Sequence, residues 1–272
     1  VGTHALIQQS VVFHRLGAVI ADEQHRFGVA QRAALSAKGE MPHVLVMSAT
    51  PIPRTLALIM YGDLDVSILD ETPPGRSPVE TYAVGENMRR RITAFIEKQL
   101  AAGGQVYVVC PLVEDGEGDS RLKSAEQHAK DLQAQLPHRR VAVLHGRMKN
   151  AEKDAVMRDF AAQKYDILVA TTVIEVGVDV PNAALMIVEN AERFGLSQLH
   201  QLRGRVGRGK AKSYCVLVSQ GGGEETKRRL KALTDTNDGF KIAEEDLKLR
   251  GPGDFFGQRQ HGLPMLQIAD LN

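Results

Sequence analysis

Tryptophan is absent from this chain, and only two of its 272 residues are cysteine. So low a count argues against a disulfide-stapled secreted domain. Both thiols, Cys110 and Cys215, sit in apolar runs, where a buried cysteine behaves as a small inert hydrophobe. No apolar run approaches the roughly 20 residues that cross a bilayer. No basic-then-apolar leader with a small-residue cleavage site opens the chain. Charge of one sign is missing too: 34 Lys and Arg stand against 33 Asp and Glu, a net of +1. That balance argues against a uniformly basic coat for nucleic acid. A cytoplasmic protein with no membrane partner is the expectation. What is there, 43% hydrophobic and 25% charged residues, is the profile of a globular chain, long enough for two domains.

The charge is unevenly spread. Between positions 203 and 231, nine Lys and Arg (203, 205, 208, 210, 212, 227, 228, 229 and 231) face Glu224 and Glu225, so nine minus two gives a local net of +7. Such a patch can meet phosphates or be a solvated face. The first residue is Val, and no helix cap or strand-bounding turn precedes the first elements, so a cut through a longer protein is expected.

Short apolar runs alternate with helical patterns, as parallel βαβ units require. Residues 16–21 and 43–47 read as buried strands and 66–69 as a third. Glu71-Thr72-Pro73-Pro74-Gly75-Arg76-Ser77-Pro78, with three prolines, is the best linker. After it, strands are expected at 79–84, 106–110, 141–144, 167–170, 184–188 and 214–218, a five- or six-stranded parallel sheet. Met88, Ile92, Phe95, Ile96 and Leu100 share a helical face that Gly103-Gly104 terminates. A helix is expected at 125–136, and Asn150 is expected to cap another that carries Ala151, Ala155, Val156 and Phe160. Gly221-Gly222-Gly223 marks a boundary, followed by helices at 224–234 and 241–249 and a Gly-rich tail. The expected domains are therefore 1–75, 79–220 and 221–272.

Four segments carry chemistry. Asp22-Glu23-Gln24-His25 directly follows a buried strand, where open α/β sheets bind ligands. One carboxylate there can hold Mg²⁺ through water while its neighbour polarises a water that attacks a γ-phosphate. Met47-Ser48-Ala49-Thr50-Pro51-Ile52-Pro53-Arg54 occupies the same position after the next strand, and its hydroxyls can bond the acidic segment. Arg205 and Arg208 share a helix face or a tight helix end, so two guanidiniums can neutralise a transferring phosphoryl group. Gly177 permits close backbone approach, and Asp179 suits a ribose or an arginine partner.

In this order the segments resemble the signature of superfamily 2 helicases: the acidic box motif II, Ser48-Ala49-Thr50 motif III, residues 171–179 motif V and residues 201–208 motif VI. Within that superfamily the wording is most similar to the RecG family of DNA helicases. It rests on DEQHRFGV at 22–29, MSATPIPRTL at 47–56, PPGRSPV at 73–79 and DGFKIAEEDLKLRGPGDFFGQRQHG at 238–262. The resemblance implies a partial first RecA-like domain, then a complete RecA-like parallel-sheet domain, then a C-terminal helical translocation element. It implies ATP and Mg²⁺ as cofactors, with Asp22 holding Mg²⁺ through water and Glu23 activating the attacking water. Arg205 and Arg208 would reach the γ-phosphate, and Gln24, His25, Ser48, Thr50, Gly177, Asp179 and Gln201 would bind nucleotide or relay its state. Thr3, His4, Arg54, His145, Arg147 and Thr171 would face DNA, and Arg250, Gln258 and Arg259 would turn cleft closure into duplex movement. Branched double-stranded DNA and a single-strand DNA-binding protein are the implied partners, in a bacterial, nucleoid-associated setting.

A motor of this kind needs G-x-x-x-x-G-K-[ST]. The near match Gly204-Arg205-Val206-Gly207-Arg208-Gly209-Lys210-Ala211 ends without a hydroxyl and is followed by a strand pattern rather than a helix. It is not a phosphate-binding loop, so the 272 residues alone are expected to hydrolyse no ATP. Two alternatives stay open: a non-catalytic nucleic-acid-binding module that keeps the helicase fold, and the transcription-coupled repair translocase.

Overall fold

This computed structural model describes residues 1–22, 34–48, 65–69, 71, 76–111, 119–171, 179–209 and 211–250. The chain falls into two compact units, one built around Val1–Pro51 and the other Ile52–Leu249.

In the first unit, strand β1 (Ala18–Ala21) pairs in parallel with β2 (His43–Val46), Ala18 opposite His43 and Ala21 opposite Val46. Val19 and Ala21 are buried, whereas Ile20, Val44, Leu45 and Met47 are exposed. A short 3-10 turn at His4–Ile7 opens the unit, with Thr3 Oγ1 accepting from the Ala5 amide. Lys38 Nζ ties the following segment down by donating to the carbonyls of Gln8 and Val11 at 2.7 Å each. The third strand expected at 66–69 is not formed: these residues join neither sheet, and Val66 and Leu69 are exposed. An apolar quartet makes a strand only where a neighbour accepts its ladder.

The second unit is a six-stranded, wholly parallel sheet. Its strands are β3 (Val79–Gly85), β4 (Gln105–Val109), β5 (Val141–Leu144), β6 (Ile167–Ala170), β7 (Ala183–Val188) and β8 (Ser213–Ser219). They run in the order β3-β8-β7-β4-β6-β5. Parallel strands need crossovers, and these place helices on both faces. Alternation of side chains then divides the core in two.

On one face lie α1 (Arg89–Ala101), which presents Ile92, Ile96 and Leu100, and α2 (Asp119–Gln135), which presents Ala125, Ala129 and Leu132. They pack on Val106, Val108, Ile167, Val169, Leu185 and Ile187. On the other lie α3 (Asn150–Ala161), α4 (Leu196–Arg203) and α5 (Glu224–Asp235). Their Met157, Phe160, Leu196, Leu199, Leu230 and Leu233 pack on Tyr107, Leu168, Met186 and Cys215. Each fully buried large side chain contributes about 1.5–3 kcal/mol.

Helix α1 ends as its glycines predict. Gly103 takes φ +85°, and the amides of Gly103 and Gly104 return to the carbonyls of Leu100 and Gln99. Helix α3 departs from expectation. Asn150 is its first residue rather than its cap; Lys149 holds the cap position, and Glu152 accepts its amide at 2.9 Å. The glycines at 221–223 are a turn within the unit: beyond it, Leu230 and Leu233 of α5 and Ile242 of α6 (Gly239–Arg250) join the sheet's own core. Among the described residues, no helix is long and apolar enough to cross a membrane.

Candidate functional site

In the first unit the sequence places an acid after β1 and hydroxyls after β2, and the two strands run side by side. Asp22 directly follows β1 and Ser48 lies two residues beyond β2, both exposed at the carboxyl edge of the pair. An exposed carboxylate at a strand end can bind a hydrated cation in the way hard oxygen donors do. No group of three His, Cys, Asp or Glu that could hold a bare metal ion occurs among the described residues.

In the second unit the arginine pair sits on the turn between α4 and β8. Helix α4 stops at Arg203, so Arg205 and Arg208 do not share a helix face; they stand on the irregular turn that follows it. Glycine makes the turn possible. Gly207 takes φ +78°, and a Cβ there would lie 2.8 Å from Val79 Cγ2; at Gly209 it would lie 2.3 Å from the Pro181 carbonyl oxygen. Those two close approaches press the turn against the starts of β3 and β7. Arg208 between them donates from Nη1 to Asp179 Oδ1 at 3.2 Å and from Nε to the Gly204 carbonyl at 3.3 Å. Arg76 of the linker donates to the same carbonyl at 3.1 Å.

Beneath the turn, Tyr107 is buried against Phe160 with ring centroids 5.0 Å apart. Burial pushes its phenol up to about 12, against the pull of Arg205 and Arg208, while Asp179 acts with burial. Tyr107, Asp179, Arg205 and Arg208 thus share one electrostatic neighbourhood. Arg208 and Asp179 are 37% and 57% exposed at the side chain, so their ion pair is weak and exchangeable. Gln201 is exposed on the last turn of α4.

A second group of polar residues lines the opposite, carboxyl edge of the sheet. His145 follows β5, Thr171 follows β6, Cys110 follows β4 and Glu189 follows β7. Three buried atoms here have no hydrogen-bond partner among the described residues: His145 Nδ1, Thr171 Oγ1 and Glu189 Oε2. Buried polar atoms are almost always satisfied, and each one left alone costs about 1–3 kcal/mol. The other oxygen of Glu189 accepts from Arg89 Nη1 at 2.6 Å and lies 3.5 Å from His128 Nε2. Burial lowers the His128 pKa, with Glu189 opposing, and pushes Cys110 up to about 12. Arg89, Cys110, Pro111, His128, Glu189 and Asn190 line an open cavity of about 200 Å³. Glu189, Arg89 and His128 escape a motif search. The same rule that singles out Asp22, an acid directly after an apolar strand, also points to Glu189.

The expected basic patch loses members. Arg203 is only 3% exposed, and Arg229 donates to the Glu192 carbonyl at 3.0 Å, so neither belongs to a solvated face. The near match at positions 204–211 starts after a helix and leads into β8, which is not the strand-loop-helix of a phosphate loop.

Comparison with known proteins decides the family. The model for "Helicase conserved C-terminal domain" matches residues 89–210, and that for "ATP-dependent DNA helicase RecG, domain 3, C-terminal" matches 236–272. The chain is 54% identical over 271 residues to the ATP-dependent DNA helicase RecG of Synechocystis sp. and 52% identical over 276 to that of Bacillus subtilis. All of this chain is covered in both alignments, against 33% and 40% of those proteins. A solved structure of RecG bound to a three-way DNA junction superposes with a TM-score of 0.76 at 51% identity, covering 94% of this chain and 33% of that one. The chain belongs to the RecG family.

In this RecG-family chain, Glu23, Gln24, His25, Thr50, Arg54, Gly177, Gln258 and Arg259, all named from sequence, lie outside the described residues, as do the side chains of His4 and Arg250. Arg147 is exposed at the same sheet edge as His145. Thr3 caps the first turn of the chain. The chain spans about a third to two fifths of the length of its RecG relatives.

Proposed function

We propose that this chain supplies the nucleotide-sensing and duplex-moving part of an ATP-dependent DNA helicase that remodels branched double-stranded DNA, in repair of stalled forks and recombination junctions. The observation that carries the reading is the turn at 204–209. Two arginines are held there by glycines that admit no side chain, and one of them rests on an exposed carboxylate. A guanidinium in that state is preorganised for a more strongly charged partner, and the γ-phosphate of ATP is one.

Asp22 is the carboxylate that would hold Mg²⁺ through water, and the ion would supply neutralisation of phosphate charge. Arg208 would leave Asp179 for the phosphoryl oxygens, Arg205 would add the second charge, and Gln201 would hydrogen-bond beside them. Glu23, Gln24, His25, Ser48, Thr50 and Gly177 complete the nucleotide set, and Arg250, Gln258 and Arg259 the translocation set. The carboxyl edge, where Arg147 is exposed close to His145, suits a phosphodiester backbone and its hydration. Branched DNA as substrate is supported by the relative bound to a three-way junction. A single-strand DNA-binding protein is the expected companion at such forks, and the bacterial nucleoid the expected location.

The test is ATP turnover by the intact protein on a three-way junction. Arg208→Ala should lower kcat about 10³-fold and leave junction affinity nearly unchanged. If affinity collapses and turnover of the bound enzyme persists, Arg208 is a phosphate anchor and this reading fails. The 272-residue chain alone should turn over no ATP, since it contains no phosphate loop; turnover would restore the non-standard loop at 204–211 as a candidate.

A further inference from the structure

Arg203 ends α4, one residue before the arginine turn, and it is the most deeply buried described arginine. Its Nη1 donates to the carbonyls of Leu233 at 2.8 Å and Thr236 at 2.9 Å and reaches Thr81 Oγ1 at 3.4 Å. Its Nη2 lies 3.0 Å from His200 Nδ1, one turn back on the same helix. No carboxylate pairs with it among the described residues. Leu233 and Thr236 are the last turn and the cap of α5, where backbone carbonyls have no helical partner and carry the negative end of the helix dipole. Arg203 is therefore the cap of α5, supplied by α4.

His200 completes the device. Burial first, then Arg203 and Arg76, push its pKa down to about 4, so at neutral pH its ring is uncharged and can accept from the guanidinium. A buried charge without an acid costs several kcal/mol. Here four acceptors compensate it, and three of them belong to other elements.

The position gives the contact its consequence. Gly204, next in chain, carries the carbonyl that receives both Arg76 and Arg208. Thr236, at the far end of the contact, opens the turn into α6: Thr236 Oγ1 accepts from the Asp238 amide, and Asp238 Oδ1 caps the helix at Phe240. Helix α6 returns to α4 through Ser197 Oγ, which donates to Asp246 Oδ2 at 3.0 Å. The residues holding the phosphate-facing turn and those opening the C-terminal RecG segment are thus tied by one guanidinium.

We propose that Arg203 is a positioning residue of the motor. By fixing the end of α5 to the root of the arginine turn, it makes displacement of Arg205 and Arg208 and displacement of the α5–α6 pair a single movement. The inference rests on the proposed role of Arg208, and the experiment separates the two. In the intact protein, Arg203→Met removes the charge and keeps the volume, Arg203→Lys keeps the charge but loses the fork, and Arg139→Met serves as control. Arg139 makes a charged contact of its own, 2.6 Å to Glu97, outside this region.

The readout is junction unwound per ATP hydrolysed, with kcat, KM and melting temperature measured alongside. Arg203→Met should lower that ratio about tenfold with KM for ATP unchanged, and Arg203→Lys should recover it to within about threefold. Arg139→Met should lower melting temperature and leave the ratio alone. If both Arg203 variants melt early with the ratio intact, Arg203 is only structural and the inference falls.

If Arg208→Ala itself spares ATP turnover, it is the reading of the site that falls. Hydrogen exchange on the unaltered protein needs no variant. Adding a non-hydrolysable ATP analogue should change protection at 204–208 and 233–238 together, and a change at one without the other overturns the coupling.

Discussion

Strand β1 reads Ala-Val-Ile-Ala and strand β6 reads Ile-Leu-Val-Ala, two apolar quartets that propensity and hydropathy treat alike. All four residues of β6 are buried, at 0% exposure, whereas Ile20 of β1 is 65% exposed. β6 lies between β4 and β5, with α1 and α2 on one face and α3 on the other. β1 pairs with β2 alone among the described residues. The difference teaches that an apolar strand specifies only a wish for cover; neighbours decide whether it is met. Stability in this chain should therefore be concentrated in the second unit, and the first should respond little to what is done to its exposed face.

The largest expected effect is in β6. Leu168→Ala removes a fully buried side chain between Tyr107 and Ala142 of the same core face and leaves a cavity under α3. A cost of about 2–5 kcal/mol is expected, read from denaturant midpoints by circular dichroism. A cost below about 1 kcal/mol would mean that the second sheet is no better packed than the first.

Acid should attack the second unit next. His200 has a folded pKa of about 4 against about 6.5 in an unfolded chain, and His128 moves in the same direction, each mainly through burial. Between those values the unfolded chain binds more protons than the folded one, so stability rises with pH. The contribution is complete above about pH 6.5 and is lost as pH falls toward 4, at most about 3 kcal/mol from His200. His200→Asn, which can still accept from Arg203, should flatten that acid limb in urea titrations between pH 7 and 4. An unchanged limb would place the proton uptake elsewhere.

Periodicity and punctuation made much of the second unit readable. The strand at 167–170 falls where it was expected, the glycines at 103–104 stop α1, and the linker prolines precede β3. These are local signals, set by side-chain alternation and backbone freedom. What escaped reading depends on partners distant in sequence. Arg203 counts as surface charge in any composition window, yet carbonyls thirty or more residues away bury it. Asn150 is a better cap by type than Lys149, yet the chain enters α3 one residue earlier, because Glu152 supplies the acceptor. Glu189 stands directly after an apolar strand, but its contact with Arg89, a hundred residues away, required the fold. At the site, Arg205, Arg208 and Asp179 could be named from type and spacing, whereas the ion pair of Arg208 with Asp179 required the fold.

The smallest effect is expected in β2, and it is the one that tests the comparison most sharply. Leu45 is 53% exposed and pairs across from Ile20, itself exposed, so the two apolar side chains touch water more than each other. Truncating Leu45→Ala removes methyl groups of which about half were never taken from water. The transfer term is then a fraction of the roughly 1.5–3 kcal/mol for a fully buried leucine. No cavity term is added, because a half-open site leaves nothing enclosed. A change below about 1 kcal/mol is expected in the 272-residue chain, with hydrogen exchange at β1 and β2 faster than at β4 and β6 before and after substitution. A cost equal to that of Leu168→Ala, in a sample shown to be monomeric by sedimentation, would mean that the first sheet is covered after all. Exposure in β1 and β2 would then no longer distinguish the two units. If the same substitution is costly only in a longer version of the protein, the cover comes from the added residues, and the contrast between the sheets is a property of the neighbours each strand is given.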